Sequence, residues 1–294
     1  MNEQWDVVII GGGVAGLSAA LILARARRRV LVLDAGEQRN RVTAHMHGVL
    51  GHDGRSPMQL VADGRAEVES YDGVIRSTDV TAATLDPAGF LLNHAIHARK
   101  LLVATGLVDD LPPIPGLADH WGAQAVACPY CDGYEARDSR LAAMSAHQAL
   151  LLAQWSDRVT LYGVVPDEEW QARLKSVGVV VDERAIERVV GLRDQLEGIV
   201  VGGELVEVDR IFVAAVPRPR DGVLRELGAD IVATPMGEWV SVGVAGATSV
   251  PGLRAVGNVV NPAALVPVAM GEAVAAATAI NFELTVVDAD RMNA

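Results

Sequence analysis

Short apolar runs of four or five residues recur along the chain, separated by glycine turns or by segments with helical spacing of apolar residues. The run at residues 6–10 predicts a first buried strand. Residues 17–26 then predict an apolar helix, and residues 30–33 predict a second strand. This alternation of strands and helices predicts an α/β fold.

A glycine turn joins the first predicted strand to the first predicted helix. Gly11 permits a tight turn, Gly13 lets the backbone approach a pyrophosphate, and Gly16 allows close packing of helix on strand. The second predicted strand ends at Asp34, whose carboxylate can bind a ribose hydroxyl. The strand, turn, helix and acidic residue together predict a dinucleotide site.

Two other predicted strands also end in a glycine and a small polar residue. One strand, at residues 101–104, ends in Thr105 and Gly106, and another near the far end of the chain ends in Gly257 and Asn258. Such ends let the backbone pass close to a ligand, although an ordinary core strand is the alternative for the first. We expect both ends of the chain to contribute to one cofactor site.

Composition and charge narrow the classes of function. With 294 residues, 50% hydrophobic and 21% charged, the chain is large enough for two globular domains. Its net charge of −12 disfavours nucleic acid and anionic membrane surfaces as partners. No uninterrupted apolar run approaches the roughly 18 residues of a membrane span. A strand so close to the N-terminus leaves no room for a signal peptide, so we expect a cytoplasmic protein.

Both cysteines of the chain lie in one motif, Cys128-Pro129-Tyr130-Cys131. Disulfides that stabilise a fold join distant residues, whereas two thiols at this spacing close one small, reducible disulfide. Pro129 suits the first turn of a helix, which would place Cys128 at the helix N-terminus, where backbone N–H groups stabilise a thiolate. The motif therefore predicts a redox-active pair.

Two other interpretations of the cysteine pair are open. Half of a zinc site would need further ligands, but the sequence has no second Cys-x-x-Cys and no His-x-x-x-His, so we expect no metal. Two inert buried cysteines are the second alternative, and the helix-initiating Pro129 argues against it.

The order of these motifs resembles the low-molecular-weight thioredoxin reductases and the related dithiol oxidases that close disulfides in gliotoxin- and holomycin-type natural products. The likeness rests on GGGVAG at 11–16, which includes Ala15, Asp34, ATG at 104–106, CPYCDGYE at 128–135 and GN at 257–258. The resemblance implies FAD at the N-terminal fingerprint, a homodimer and two Rossmann-like nucleotide-binding domains. The FAD domain would be discontinuous, over 1–114 and 241–294, and the inserted central domain, over 115–240, would carry the cysteines.

The resemblance also implies roles for individual residues. Cys131 would face the flavin and form the transient thiolate or adduct, and Cys128 would exchange with the external substrate. Asp132 would donate and accept protons, although a charge that stabilises a helix N-terminus is the alternative. Asn258 stands where the family usually has Asp, and its amide can still bind a ribityl hydroxyl.

Three histidines, His45, His47 and His52, are expected near the flavin edge. They can be proton relays or simply hydrogen-bonded surface side chains, and both interpretations are open.

The central domain departs from the reductase pattern. After the strand predicted at 141–144, where a second glycine fingerprint would hold NADPH, the chain has Ser145-Ala146-His147-Gln148. No glycine occurs between Gly133 and Gly163, so the backbone has no residue suited to approach a pyrophosphate closely. Where arginines would bind the ribose 2′-phosphate, after a strand at 159–162, the chain has carboxylates at 167–169. We expect a central domain that keeps the scaffold and has lost NADPH.

The sequence therefore predicts a FAD-dependent thiol–disulfide oxidoreductase that passes electrons between Cys128/Cys131 and flavin without NADPH. Its partner would be a small-molecule dithiol or disulfide, or a thioredoxin-like protein. It would be a dithiol oxidase that uses oxygen, or a reductase fed by ferredoxin or a second flavin. The alternatives are an NADPH-dependent thioredoxin reductase with an unusual phosphate loop and a non-catalytic flavin-binding module that senses redox state.

Overall fold

The computed structural model describes residues 3–193 and 195–293. In chain order the strands are β1 Glu3–Ile10, β2 Val30–Asp34, β3 Val74–Ser77, β4 Ala83–Asp86, β5 Gly89–Leu92, β6 Ile96–Val103, β7 Leu107–Asp110, β8 Ala125–Val126, β9 Leu141–Ala143, β10 Val159–Tyr162, β11 Val180–Asp182, β12 Ile186–Leu192, β13 Gln195–Val201, β14 Glu204–Val206, β15 Arg210–Phe212, β16 Val216–Pro219, β17 Ile231–Thr234, β18 Gly237–Val240 and β19 Leu253–Ala255. The α-helices are α1 Val14–Arg25, α2 Pro57–Ser70, α3 Pro129–Asp132, α4 Ala146–Leu152, α5 Glu168–Ser176, α6 Gly222–Glu226 and α7 Val266–Asn293. Short 3₁₀ helices lie at Arg39–Val42, Leu117–His120, Val244–Gly246 and Gly257–Val259.

The chain divides into two compact units. The first consists of Met1–Arg41, Met58–Val108 and Pro217–Ala294, and the second of Val42–Pro57 and Asp109–Val216. These ranges differ from the predicted domain ranges in three places. The second unit resumes at Asp109 rather than at residue 115. The chain returns to the first unit at Pro217 rather than at residue 241, because Leu224 and Leu227 are buried in the core of that unit. The segment Val42–Pro57, which carries the three histidines, belongs to the second unit.

The first unit is built on a seven-stranded sheet with the order β3-β2-β1-β6-β5-β4, in which β19 also pairs with β6. Strand β1 runs parallel to β2 and to β6, and β19 runs parallel to β6. In this register Ile10 and Ala255 both lie beside Val103. The residues that follow these three strands therefore meet at one edge of the sheet, as the glycine-ended strands predict.

Helix α7 forms part of the core of the first unit. In the part of the chain that the structure describes, α7 is long and apolar enough to cross a membrane by length and composition, and 28% of its 18-residue apolar window is buried. Ala273, Ala276 and Ala277 of α7 are buried in one cluster with Ala19 and Ala20 of α1. Small residues on this face allow α7 and α1 to pack closely against each other.

The second unit has a five-stranded parallel sheet with the order β11-β10-β9-β15-β8, beside the antiparallel strands β12-β13-β14. Phe212 of β15 pairs with Val126 of β8 on one side and with Ala143 of β9 on the other. The chain leaves β8 directly into the cysteine motif, and it leaves β9 directly into α4. The seven-stranded sheet is mainly parallel, with β5 antiparallel to β4 and to β6, and the five-stranded sheet is fully parallel. Together with the helices between their strands, these sheets confirm the predicted α/β fold.

Candidate functional site

Two glycines of the N-terminal turn are required by the backbone itself. Gly11 has a φ of +107°, and a Cβ there would lie 2.3 Å from the carbonyl oxygen of Ala104. A Cβ on Gly16 would lie 1.8 Å from the carbonyl oxygen of Gly11. A side chain at Gly11 would push the turn away from the end of β6, and one at Gly16 would push the helix away from the turn. The predicted part of both glycines in cofactor binding stays a prediction.

Gly13 has a different role. It is the N-cap of α1 and no side chain caps the helix there. A Cβ on Gly13 would meet one atom, Cγ of Gln38, at 3.9 Å, so the space before the first turn is clear. Uncapped N–H groups at the start of a twelve-residue helix favour a bound anion. This end of α1 fits the pyrophosphate of a dinucleotide such as FAD.

The far end of the chain meets the same turn. Gly257 has a φ of +71°, and a Cβ there would lie 3.2 Å from Cβ of Ala15 in the first turn of α1. Glu272 of α7 accepts the backbone N–H of Gly257 at 3.0 Å and thereby holds the turn in place. The structure thus brings Ala15 and Gly257 together. The hydrogen bond from Gly257 to Glu272 could not be predicted, because no motif in the sequence marks Glu272.

The carboxylate of Asp34 is buried and holds the surrounding loop together. It accepts hydrogen bonds from the backbone N–H of Gly12 at 3.0 Å and of Gly36 at 3.2 Å. It also accepts from Nε2 of Gln38 at 3.2 Å and forms an ion pair with Arg65 at 2.9 Å. Its predicted contact with a ribose stays a prediction. Sequence reasoning missed Gln38 and Arg65, because only the packing of α2 brings Arg65 to the end of β2.

The turn after β6 is also held by hydrogen bonds to a distant part of the chain. The Thr105 hydroxyl donates to the carbonyl of Arg220 at 2.7 Å, and the backbone N–H of Arg220 donates to the carbonyl of Gly106 at 3.0 Å. Gly106 has a φ of +70°, and a Cβ there would meet nothing within 4 Å. The Thr105 hydroxyl therefore holds the turn to the chain at Arg220, and the space next to the turn is free at Gly106.

The hydrogen bonds of Asn258 explain why this position holds an amide rather than a carboxylate. Its Nδ2 donates to the carbonyls of Asn261 and Ala264, both at 3.0 Å, and its Oδ1 accepts from Arg39 at 3.3 Å. An aspartate here would have no proton to donate and would place a carboxylate against these carbonyl oxygens. The amide therefore organises this turn, and its predicted contact with a ribityl hydroxyl stays a prediction.

The cysteine motif has the predicted helix start. Cys128 and Cys131 form a disulfide with their Cα atoms 5.2 Å apart, and Cys128 is the N-cap of α3, with Pro129 in the first turn. The backbone N–H of Cys131 donates to Sγ of Cys128 at 3.2 Å. Once the pair is reduced, this N–H stabilises a thiolate at Cys128.

Tyr130, between the two cysteines, is 65% exposed, and its ring contacts that of Trp155 edge-on at a centroid distance of 6.4 Å.

Asp132, at the end of α3, is suited to exchange protons near neutral pH. Burial is the main reason that its pKa rises from 3.8 to about 6. The cation of Arg210, 3.7 Å from Oδ1, opposes this rise, while the charge of Glu135 adds to it and His47 opposes it. A carboxyl with such a pKa can serve as acid and as base at physiological pH.

The structure separates the three histidines. His47 is partly buried, with Nε2 at 3.6 Å from Glu135 and Nδ1 at 3.5 Å from Asp53. The exposed His45 contacts the carbonyl of Gly54, and His52 contacts Arg55, both within the same loop. His47 is thus the histidine with a direct link to the acidic group around Asp132. Within residues 3–193 and 195–293 no cluster of His, Cys, Asp and Glu could hold a metal ion.

The N-terminus of α4, where the sequence predicts the loss of an NADPH site, is capped by a side chain. Ser145 is the N-cap of α4, and its Oγ accepts the backbone N–H of Gln148 at 3.3 Å. The Gln148 side chain is 7% exposed and donates to the carbonyls of Ala127 at 2.9 Å and Val213 at 3.0 Å. At the next strand end, Asp167 caps α5 by accepting the N–H of Trp170 at 2.9 Å. Sequence reasoning found the missing glycines but did not find this use of Gln148.

Comparisons with known proteins agree with this geometry. The family model of the pyridine nucleotide-disulphide oxidoreductases matches residues 5–163. The thioredoxin reductase tcpT of Claviceps purpurea is 34% identical over 251 residues, which cover 76% of this chain and 78% of that protein. The crystal structure of HlmI superimposes with a TM-score of 0.91 at 40% identity, covering 98% of this chain and 96% of that one. An oxidoreductase from Agrobacterium tumefaciens gives 0.89 at 33% identity, with 96% and 99% covered. The resemblance to thioredoxin reductases inferred from the motifs is confirmed.

Proposed function

Because the chain belongs to the pyridine nucleotide-disulphide oxidoreductase family, an enzyme family, we propose that it is a FAD-dependent dithiol oxidase that works without NADPH. Electrons from a substrate dithiol enter through the Cys128–Cys131 disulfide and leave to oxygen. Members of this family typically bind FAD, and the open N-terminus of α1 at Gly13 supports the same cofactor here.

One observation supports the proposal that the protein does not bind NADPH, namely the difference between the N-termini of α1 and α4. Both α1 and α4 follow a parallel strand of a Rossmann-like sheet, where a nucleotide pyrophosphate would bind. At α1 the N-cap is Gly13 and no side chain occupies the N–H groups. At α4 the N-cap is Ser145, whose Oγ already binds the N–H of Gln148. A phosphate at α4 would have to displace this cap and approach a backbone that carries Cβ atoms.

The chain's own residues divide the remaining work. In the first unit, α1 binds the cofactor pyrophosphate, and the turns at Gly106 and Gly257 let the backbone approach the rest of the molecule. Bound FAD would supply a two-electron acceptor that oxygen reoxidises, with formation of hydrogen peroxide.

The second unit supplies the thiol chemistry. A substrate thiolate attacks Sγ of Cys128, breaks the Cys128–Cys131 bond and releases the Cys131 thiolate. The second substrate thiol then attacks the substrate sulfur of this mixed disulfide, so that the oxidised substrate leaves and Cys128 is freed. Two electrons and two protons thus leave the substrate, and Asp132 accepts one of these protons. For the next turnover a two-electron acceptor would have to restore the Cys128–Cys131 disulfide, which is the chemistry that bound FAD would supply.

We also propose a substrate class, a location and an assembly. The proposed substrate is a small-molecule dithiol. The alternative is a thioredoxin-like protein, which the names of relatives such as the thioredoxin reductase tcpT suggest. The proposed assembly is a homodimer, as the family resemblance implies, and the proposed location is the cytoplasm, as the sequence analysis expects. Light scattering coupled to size-exclusion chromatography should give twice the mass of the 31.0 kDa chain.

The test of this function is peroxide formation by the flavin-loaded enzyme in air. With dithiothreitol as the dithiol, hydrogen peroxide should accumulate in proportion to oxidised dithiothreitol, and Cys128→Ser or Cys131→Ser should abolish it. With NADPH in place of the dithiol, peroxide should stay at the level without donor. Equal peroxide from NADPH would contradict the proposed function.

A further inference from the structure

Gln148 connects the closed end of α4 to the strand that leads into the redox disulfide. Strands β8 and β15 run parallel, and their last hydrogen bond joins the N–H of Val213 to the carbonyl of Val126 at 2.7 Å. The next carbonyl on each strand belongs to Ala127 and to Val213. The side-chain NH₂ of Gln148 donates to both, at 2.9 and 3.0 Å. One buried amide thus links the ends of two neighbouring strands.

The orientation of this amide is fixed by its partners. Both strand groups are carbonyls, which accept hydrogen bonds, so the nitrogen of the side chain must face them. Its Oε1 then faces the Ser145 hydroxyl, which donates to it at 3.0 Å. The Gln148 side chain is 7% exposed, and each polar atom has a partner. A satisfied buried amide of this kind holds a single geometry.

The Ala127 carbonyl is the last group before the catalytic motif. Cys128 follows directly as the N-cap of α3, and the N–H of Cys131 donates to its Sγ. That N–H reaches the sulfur only while the backbone at Cys128 keeps the orientation that leads from Ala127 into the helix. Whatever fixes the Ala127 peptide therefore fixes the group that stabilises the Cys128 thiolate.

We propose that Gln148 is a positioning residue for Cys128, acting through the Ala127 carbonyl on the sulfur that exchanges with substrate. It occupies the place where a nucleotide-binding helix would begin, so the former cofactor position now supports the disulfide. The inference deepens the proposed function, because it rests on Cys128 being an exchange thiol, but it does not depend on the electron acceptor.

The test is the reactivity of the Cys128 thiolate as a function of pH. In a Cys131→Ser background, which keeps the backbone N–H at residue 131, iodoacetamide alkylates the single thiol and mass spectrometry follows the rate. Added to this background, Gln148→Met keeps the volume of the side chain and removes the donor. Losing one well-oriented hydrogen bond to the thiolate should slow alkylation at pH 7 by about three- to tenfold. At a pH above the titration of the thiol the rates should converge.

A control variant makes the result specific. Gln154→Met, at an exposed position just beyond α4, should alkylate like the parent. The charged groups of this site, Asp132, Glu135, His47 and Arg210, are unchanged in every variant, so a difference in the pH profile reports Gln148. Circular dichroism and flavin content establish that each variant is folded.

A Gln148→Met profile that superimposes on the Gln154→Met control would overturn the proposal. If Gln148→Met does not fold, Gln148→Asn decides, because it keeps an amide at this buried position but shortens the side chain by one methylene and so withdraws the donor from the Ala127 carbonyl. It should slow alkylation about two- to threefold, and an unchanged profile would overturn the proposal. Alkylation needs no flavin, oxygen or NADPH, so a failure of the proposed electron acceptor would leave this result standing.

Discussion

Ser145 caps the N-terminus of α4, because its Oγ accepts the backbone N–H of Gln148 at 3.3 Å. The equivalent position in the first unit is Gly13, which leaves the N-terminus of α1 without a side-chain cap. Two Rossmann-like sheets in one chain thus present one open and one closed helix terminus. We propose that this difference determines which of them binds a nucleotide.

Gly13→Val should yield a folded protein without flavin. The backbone of Gly13 is extended, with a φ of −77°, and a Cβ there would meet Cγ of Gln38 at 3.9 Å, so the folded chain accommodates valine. The branched side chain would instead occupy the approach of the pyrophosphate. Absorbance at the flavin band after reconstitution measures the loss. Gly271→Val, also with open space around its Cβ, should keep its flavin, and a flavin-loaded Gly13→Val would refute this role.

The two cysteines should give different spectra. If Cys131 is the sulfur next to the flavin, Cys128→Ser leaves its thiolate free and should produce a long-wavelength charge-transfer band. Cys131→Ser should show no such band, and both variants should lose turnover because each removes half of the disulfide. A band in Cys131→Ser and none in Cys128→Ser would reverse the assignment.

Asp132→Asn should stabilise the protein above pH 6 and much less below it. The folded protein raises the pKa of this carboxyl from 3.8 to about 6, chiefly by burial. Folding therefore favours the protonated form, so the stability contribution is present at low pH and is lost as pH rises towards 6. Above that pH the buried carboxylate costs at most about 3 kcal/mol. Since Asn also removes the ionic partner of Arg210, we expect a gain of about 1–2 kcal/mol at pH 8.

Urea unfolding of wild type and Asp132→Asn at pH 5 and pH 8 measures this difference. Asp157→Asn, whose side chain is 94% exposed, serves as the matched control. An equal difference in unfolding free energy at both pH values would show that Asp132 does not titrate in this range.

His47→Gln should move the pH dependence of disulfide reduction upwards. His47 lowers the pKa of Asp132, so its loss should make the Asp132 carboxylate form at higher pH. Stopped-flow mixing of the flavin-loaded enzyme with dithiothreitol over a range of pH values would show the shift. His52→Gln, in the same loop but in contact with Arg55, should leave the profile unchanged. Identical profiles for the two variants would remove His47 from the proton pathway.

The N-terminal glycine turn was predictable from sequence because its requirements are local. The φ of Gly11 and the clearance at Gly16 are set within one strand–turn–helix segment, and the pattern of glycines records them. The same holds for Cys128 as an N-cap, since Pro129 marks the first helical turn. The partners of Asp34 and Asn258 could not be found in this way. Arg65 and Arg39 reach them from other elements, and a pattern along the chain does not record which side chains tertiary packing brings together.

The histidines show the same limit. His45, His47 and His52 look alike in sequence, but the loop turns so that His47 meets Glu135 and the other two contact their own loop. Gln148 gave no signal either, because an amide within a helix pattern is ordinary until its bonds to Ala127 and Val213 are seen.

Anaerobic reduction of the bound flavin tests the central claim most directly. The flavin-loaded protein is mixed without oxygen with micromolar NADPH, and separately with dithiothreitol, while the flavin absorbance is followed. The closed terminus at Ser145 predicts that NADPH leaves the flavin oxidised, whereas the dithiol bleaches it and the Cys128→Ser variant resists bleaching. Rapid, saturable bleaching by NADPH would contradict the account and make the protein an ordinary thioredoxin reductase. No bleaching by either donor would instead favour a flavin-binding module without catalysis.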